Sequence, residues 1–419
     1  MSAEKGVTEL PVDSFSWVLA LFGTAVGAGI LFLPIQVGQS GFWVLLLVAV
    51  LIYPTIYLGH CFYGLISSRA TEADYATAVG RWLPRWAGLS LHLFFIGWLL
   101  ILLIAYSISF TNDLGEFLSI RQWLTPNPWH RVWLSFSILA VLMLLLRFAR
   151  SLLVRILGGA TLLLIGLLCL VALALIPHWE WQIAQKALAV PTAAAGLKQF
   201  LLLFPLLALS FMFFPLLPSL VENLQQCISD PLRRQDRLHR IIATAVVLLM
   251  TFLLGFVVSF MLAISKGDFL TAAESNISAL ALLGNLYRGS WLGILGPMIS
   301  MTALFTSFLG IFIGYRESML PLLCRRQKND TNGKARGQYE NRLYCATFVV
   351  LWGMAIANVP VMKILGDLVA PLGAVFLLLV PAGVVLFSTG FRSDRGVTSW
   401  FVFTSGIVVV LAYFAGTAL

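Results

Sequence analysis

The chain has 419 residues, 60% of them hydrophobic and only 11% charged, against roughly 25% charged in a soluble domain, which excludes a water-soluble fold. The net charge of +9 comes from 27 Lys and Arg scattered between apolar runs; they form no continuous basic face, so a nucleic-acid partner is excluded too. Five cysteines (Cys61, Cys169, Cys227, Cys324, Cys345) include no CxxC and no Cys/His cluster at metal spacing, which points to neither a disulfide framework nor a zinc site.

Residues 1–15 are polar and lack an apolar core followed by a small-residue cleavage site, so the first apolar run is predicted to be a retained span behind a short cytoplasmic segment. About 20 apolar residues cross a bilayer. Runs of that order fall at 16–38, 41–66, 88–112, 131–147 and 152–176, then at 199–222, 241–264, 291–315, 342–359 and 364–390, with an eleventh at 397–417. The division suggests a first repeat over 16–176, a second over 199–390 and one additional helix.

If the chain crosses at every run, one side receives only Arg121, Arg131, Lys186, Lys198, Lys266, Arg288 and Lys363, and the N-terminal side receives all the other Lys and Arg. The positive-inside rule then places the N-terminus in the cytoplasm. Trp43, Trp86, Trp123, Trp129, Trp179, Trp181 and Trp291 stand near span ends, where an indole suits the headgroup level. The polar stretch 325–342 has the composition of a connector without a core.

Two runs are unusual. The first carries GTAVGAG at Gly23 to Gly29 and then Pro34; the sixth carries Pro205, Pro215 and Pro218. Glycine lowers helix propensity, and proline removes a donor and clashes with the preceding turn. Breaks at matching positions of two halves point to a substrate site, because unwound backbone survives at membrane depth only where it is packed in protein or lines a cavity. A second reading fits the same residues: Gly23 and Gly27 form a GxxxG that lets two helices approach closely.

The segment Leu21 to Gly41, LFGTAVGAGILFLPIQVGQSG, resembles the first span of bacterial hydroxy- and aromatic-amino-acid permeases, in particular their serine and threonine branch, within the amino acid/polyamine/organocation superfamily. FLTAAESNISALALL at Phe269 to Leu283 and FTSFLGIFIGYRE at Phe305 to Glu317 extend the likeness. The resemblance implies an all-α membrane protein of about eleven transmembrane helices, a leucine-transporter-like five-plus-five inverted repeat with helices 1 and 6 broken, in a bacterial inner membrane. It also implies that the freed backbone binds an amino acid. Gly23, Thr24, Ala25, Gly27 and Gly29 would receive the carboxylate at a half-helix N-terminus, carbonyls of Ser210 and Phe211 would meet the ammonium, and the Tyr106 hydroxyl would reach the carboxylate.

The sequence departs from that family twice. SFMFFP at Ser210 to Pro215 replaces a polar SFNHSP-like string, so Met212, Phe213 and Phe214 stand where hydroxyl-reading side chains are expected, and a larger apolar or aromatic substrate would suit them better. One alternative is that only one of the three faces the substrate. In span 8, Thr306-Ser307-Phe308 replaces a KSF string. Ala303, Thr306 and Ser307 share one helix face by i, i+3, i+4 spacing, and in sodium-coupled members of the wider fold such a pattern supplies oxygens to sodium. Packing and helix–helix hydrogen bonds explain the same residues equally well. The resemblance favours a proton as the coupling cation, with sodium at Ala303, Thr306 and Ser307 as the alternative.

Ionisable residues inside spans are costly and point to function. His60 and His92 are expected near cytoplasmic span ends, with the imidazoles at the interface. Glu222 ends span 6 and is a candidate gate partner for an arginine of 233–240; Asp367 in span 10 is a candidate for gating at the outer end. The expected function is a cation-coupled secondary transporter of a neutral amino acid, serine/threonine-like or larger, with membrane lipid as surroundings and no cofactor. The competing classes are a membrane-embedded enzyme, for which no HExxH, paired in-span aspartates or Ser/His/Asp set is present, and a non-transporting sensor on the same fold.

Overall fold

The computed structural model describes residues 13–69, 75–123, 127, 129–148, 150–324 and 334–418. Residues 1–12 of the expected cytoplasmic segment and 325–333 of the expected connector lie outside the described residues. Span 1 is two helices, Ser14–Ala25 and Ala28–Ser40. Spans 2 to 5 are Phe42–Ser68, Arg85–Ile120, His130–Phe148 and Arg150–Ala174. Span 6 is again two helices, Ala193–Ser210 and Leu217–Cys227. Spans 7 to 11 are Pro231–Ala263, Leu292–Cys324, Lys334–Ala357, Val361–Phe387 and Val397–Ala418.

Nine of the described spans are long and apolar enough to cross a bilayer, with the two halves of span 6 taken together. Span 1 is divided into short pieces, and span 9 opens with the polar KARGQYENR before turning apolar. Leucines of the peripheral helices point outward, Leu163, Leu173 and Leu411 each being more than half exposed. In a bilayer that surface meets lipid, so these helices need no polar face. The seven tryptophans assigned to span ends are all exposed.

Several helices run past the apolar windows. Span 7 begins at Pro231 rather than near 241, because Pro231 stands at the first helical position and the Asp230 carboxylate accepts from the Leu232 amide at 3.0 Å. Both devices start a helix regardless of the charges that follow. Span 10 widens to i→i+5 bonding over Leu365–Val369 and Val375–Leu379. Pro371 and Pro381 lie just beyond each segment, and a proline ring clashes with the carbonyl four residues back, here Asp367 and Leu377.

Between spans 7 and 8 a hairpin of two short helices, Lys266–Glu274 and Ala279–Leu286, is capped by Ser265 and Ser278. It covers spans 1, 3 and 8 on the face opposite the N-terminus. The Phe269 ring lies directly against Gly38 of span 1, where a Cβ would not fit. On the N-terminal face, Arg316 of span 8 and Glu340 of span 9 form an ion pair at 2.6 Å with side chains only 11% and 16% exposed.

Candidate substrate site between two broken helices

The first half of span 1 ends as the Val26 amide donates to the Phe22 carbonyl and Val26 turns to ψ 92°. Gly27 is extended, and the second half starts with the Leu31 amide donating to the Gly27 carbonyl at 3.1 Å. The amides of the new first turn therefore have no carbonyl one turn back, and Gly27 has no side chain to cap them. Close approach demands the glycines. A Cβ on Gly27 would come within 2.6 Å of the Tyr106 hydroxyl and 3.0 Å of Ser307 Oγ; one on Gly29 would meet Ser210 Oγ at 2.9 Å and its Cα at 3.2 Å. Gly23 instead abuts Thr161 of span 5, and Thr24 Oγ1 donates to the Ala20 carbonyl at 2.8 Å.

Span 6 breaks where Ser210 touches Gly29. The Phe211 and Met212 amides turn back to the Ala208 and Leu209 carbonyls, while the Phe213 amide leaves the helix pattern and donates to His60 Nε2 at 3.2 Å. His60 Nδ1 lies 2.8 Å from the Ile56 carbonyl. That carbonyl can only accept, so Nδ1 carries the hydrogen and Nε2 the lone pair. The His60 ring is fully buried and stacks on Phe213 at 3.8 Å. The expected interfacial position of His60 is thus corrected: span 2 passes directly behind the span 6 break, and the imidazole supplies the acceptor that the unwound amide needs. His92 does not lie free at the interface either; its Nε2 is 3.1 Å from the Ser318 carbonyl of span 8.

Between the breaks lies a cavity of about 30 Å³. Thr24, Ala25, Gly27 and Gly29 line it from span 1, Tyr106 and Trp98 from span 3, and Met212 from span 6. Its volume leaves room for a few waters at most, so the cavity as it stands is too small for an amino acid. Trp98 is held by its indole N–H donating to the Val369 carbonyl of span 10 at 2.9 Å. Trp98, Leu102 and Tyr106 recur every four residues on one face of span 3; the sequence signal was present once Tyr106 had been selected. Phe213 packs on His60, and Phe214 on Trp98 at 5.3 Å, so of the three side chains in MFF only Met212 lines the cavity. Ser210 Oγ donates to the Leu206 carbonyl, and Phe211 is buried; neither side chain lines it.

Span 8 closes the rear of the span 1 break. Ser307 Oγ donates to the Val26 carbonyl at 2.7 Å, and Thr306 Oγ1 to the Ala303 carbonyl at 3.0 Å, all four residues being buried. The candidate gates lie elsewhere. Glu222 is exposed, with Gln226 Nε2 at 3.4 Å. Of the arginines at 233–240, Arg233 pairs with Asp230 and Arg240 with Asp236, each about one turn away, and Arg234 donates to the Ile228 and Ser229 carbonyls. Its neighbour Asn223 is the residue that joins the half-helices on this face, accepting from the Trp17 indole at 2.9 Å. Asp367 faces Tyr413 of span 11, away from the span 1 and 6 breaks.

A buried carboxylate escaped the sequence reading. Asp113 of span 3 is fully buried; it accepts from the Ser278 amide at 3.0 Å and from Ser278 Oγ at 2.6 Å, and it shares a hydrogen bond with Ser300 Oγ. Span 3 continues to Ile120, whereas its apolar window stops at 112, one residue short.

Known proteins agree with this architecture. The serine transporter SdaC of Escherichia coli K12 is 29% identical over 411 residues, covering 95% of this chain and 93% of its own. The threonine/serine transporter TdcC of Edwardsiella piscicida is 25% identical, covering 94% and 93%. A crystal structure of the Eremococcus coleocola manganese transporter superposes with a TM-score of 0.57 at 15% identity, over 99% of this chain and 90% of that one; at that identity the likeness concerns the fold. The model of the tryptophan/tyrosine permease family matches residues 13–386, and the chain belongs to that family.

Proposed function

We propose that the protein is a proton-coupled symporter that carries a neutral amino acid across a bacterial inner membrane into the cytoplasm. The observation that carries this reading is the pair of helix breaks meeting at one cavity, with the uncapped first turn of Ala28–Ser40 on one wall. Uncapped amides and the positive end of a half-helix suit a carboxylate without an arginine or lysine. The carbonyl ends at Ser210 and Phe211 suit the ammonium group, and the names of the serine and threonine transporters point to the same substrate class. The cycle needs no covalent step. Binding of cation and substrate together must favour the closed form over the outward-open one, since only a difference in affinity between states can drive a conformational change.

Met212, Trp98, Leu102 and Leu209 give the cavity an apolar wall, which suits an apolar side chain better than a hydroxyl seeking a partner. Gly373 of span 10 presses on the Met212 sulfur, a Cβ there falling 2.6 Å away, so Met212 sets the depth on that side. The expected result for Met212→Ala is a shift of relative uptake toward aromatic over small amino acids of about tenfold or more, the low end of what one methylene in a pocket is worth. Competition against labelled substrate measures it, and an unchanged ranking would count against the assignment.

Sodium coupling is the second reading. Val26 and Ala303 offer carbonyl oxygens beside the hydroxyls of Thr306 and Ser307, a neutral, hard-oxygen set that suits a monovalent ion. In the present arrangement each hydroxyl hydrogen already satisfies one of those carbonyls, which favours the proton. Proteoliposomes given labelled amino acids under separately imposed gradients decide between them. Acid outside should drive accumulation with no sodium present; accumulation driven by sodium alone would reverse the order of the two readings.

A further inference from the structure

Among the described residues, Asp113 is the one carboxylate whose side chain is fully withdrawn from solvent. It stands where three elements meet: its own span 3, the second helix of the hairpin through Ser278, and span 8 through Ser300. The hydrogens of this cluster can be counted. Three oxygens, Asp113 Oδ2, Ser278 Oγ and Ser300 Oγ, are in mutual contact: 2.6 Å from Asp113 to Ser278, 2.9 Å between the two serines, and a short contact from Asp113 to Ser300.

A hydrogen between two oxygens this close turns lone-pair repulsion into a bond, and a serine hydroxyl supplies one. Two serines fill two contacts. With an ionised Asp113 the third would set lone pair against lone pair in a buried site. A proton on Oδ2 completes the ring: Asp113 donates to Ser300, Ser300 to Ser278, and Ser278 back to Asp113. The remaining bonds are compatible with this count, since Oδ1 accepts the Ser278 amide and Ser278 Oγ also accepts the Ala281 amide at 3.1 Å.

We propose that Asp113 is the residue that binds the transported proton, and that the hairpin seated on spans 3 and 8 is the arrangement that retains it. This rests on the proton-coupled reading above and names its site. In the uptake step, hydronium gives one proton to the carboxylate and leaves water; no other bond is made or broken. A polar cavity of about 160 Å³ reaches the neighbouring residue, lined by Asn112, Glu116 and Ser119 of span 3, His130 and Arg131 of span 4, and Asn358 after span 9. In the proposed cycle, water from the face opposite the N-terminus reaches the site through this cavity, which stops one residue short of Asp113 in the closed arrangement.

The charged groups around the site make their bonds to residues other than Asp113. Glu116, one turn along span 3, accepts from Asn285 at 2.8 Å. Arg131 donates to Asn112 Oδ1 and to the Ala355 carbonyl. On the hairpin Asp268 is bonded to Ser265, and Glu274 is exposed at the end of the helix that precedes Ser278; span 8 turns Ser300 toward the site. None of them forms an ion pair with Asp113, so the proton is what neutralises its charge when the hairpin is closed.

Asp113→Asn keeps the shape and is permanently neutral, its amide nitrogen replacing Oδ2 and donating a hydrogen to each serine hydroxyl. Purified and reconstituted, this variant should exchange labelled for unlabelled amino acid within about threefold of the unmodified rate, while accumulation driven by acid outside falls by about tenfold or more, the usual size of a lost coupling between sites. Undiminished acid-driven accumulation would overturn the proposal, as would a folded variant that has lost exchange. Infrared spectroscopy of the unmodified protein labelled with ¹³C-aspartate supplies a test that no variant's folding affects. A protonated aspartic acid band should persist at neutral pH, and its absence would overturn the proposal. Acid-independent uptake by the unmodified protein would instead remove the symport reading; the aspartate band would then still decide whether Asp113 holds a proton.

Discussion

Gly27→Ala is expected to lower amino-acid uptake by about ten- to a hundredfold while leaving the protein folded, because overpacking a tight site by one methyl costs about 1–3 kcal/mol. The methyl group would lie 2.6 Å from the Tyr106 hydroxyl and 3.0 Å from Ser307 Oγ, and it would point into a cavity of only about 30 Å³. Ser307 can yield only by giving up the Val26 carbonyl, which holds the span 1 break against span 8. The φ of −146° at Gly27 is open to any residue, so the effect comes from lost space rather than from backbone strain. At Gly310 and Gly314 of span 8 an added methyl carbon would have nothing within 4 Å, and these positions serve as controls: alanine at either should leave uptake unchanged. Initial uptake rates in proteoliposomes measure all three, and a fully active Gly27→Ala would show that the amino acid binds elsewhere.

The largest expected loss of stability comes from His60→Leu. The change leaves the Phe213 amide buried without an acceptor, at about 1–3 kcal/mol, and removes the ring that stacks on Phe213 at 3.8 Å. His60→Gln restores an acceptor in roughly the same place and should recover part of the loss. Thermal unfolding in detergent, followed by the fraction remaining monodisperse, compares the three proteins. Equal stability of the leucine variant and the unmodified protein would mean that the span 6 break is held by other contacts.

The spans and the two breaks were legible in the sequence because their causes are local. Apolar length sets a crossing, glycines at 23, 27 and 29 and prolines at 215 and 218 interrupt it, and the structure divides both helices at those places. Side-chain direction within a break was not legible. After Ser210 the backbone no longer advances by a constant angle, so spacing cannot tell that Met212 faces the cavity while Phe213 and Phe214 turn to His60 and Trp98.

Long-range partners were hidden for a different reason. His60 serves a backbone amide 153 residues away, and Asp113 meets serines 165 and 187 residues away. Neither pairing leaves a periodic trace in the chain. Helices run beyond the apolar window where a cap starts them, as at Pro231, and span 3 likewise continues to Ile120 past its apolar window, which leaves Asp113 outside it.

The position of the bound amino acid is decisive, and a density map of the protein with its amino acid in place reveals it directly. It should show the carboxylate at the amides opening the second half of span 1, the ammonium beside the carbonyls of Ser210 and Phe211, and the side chain against Met212 and Trp98. An amino acid found in the polar cavity beside Arg131 and Asn358, with the space between the two breaks still closed, would contradict it.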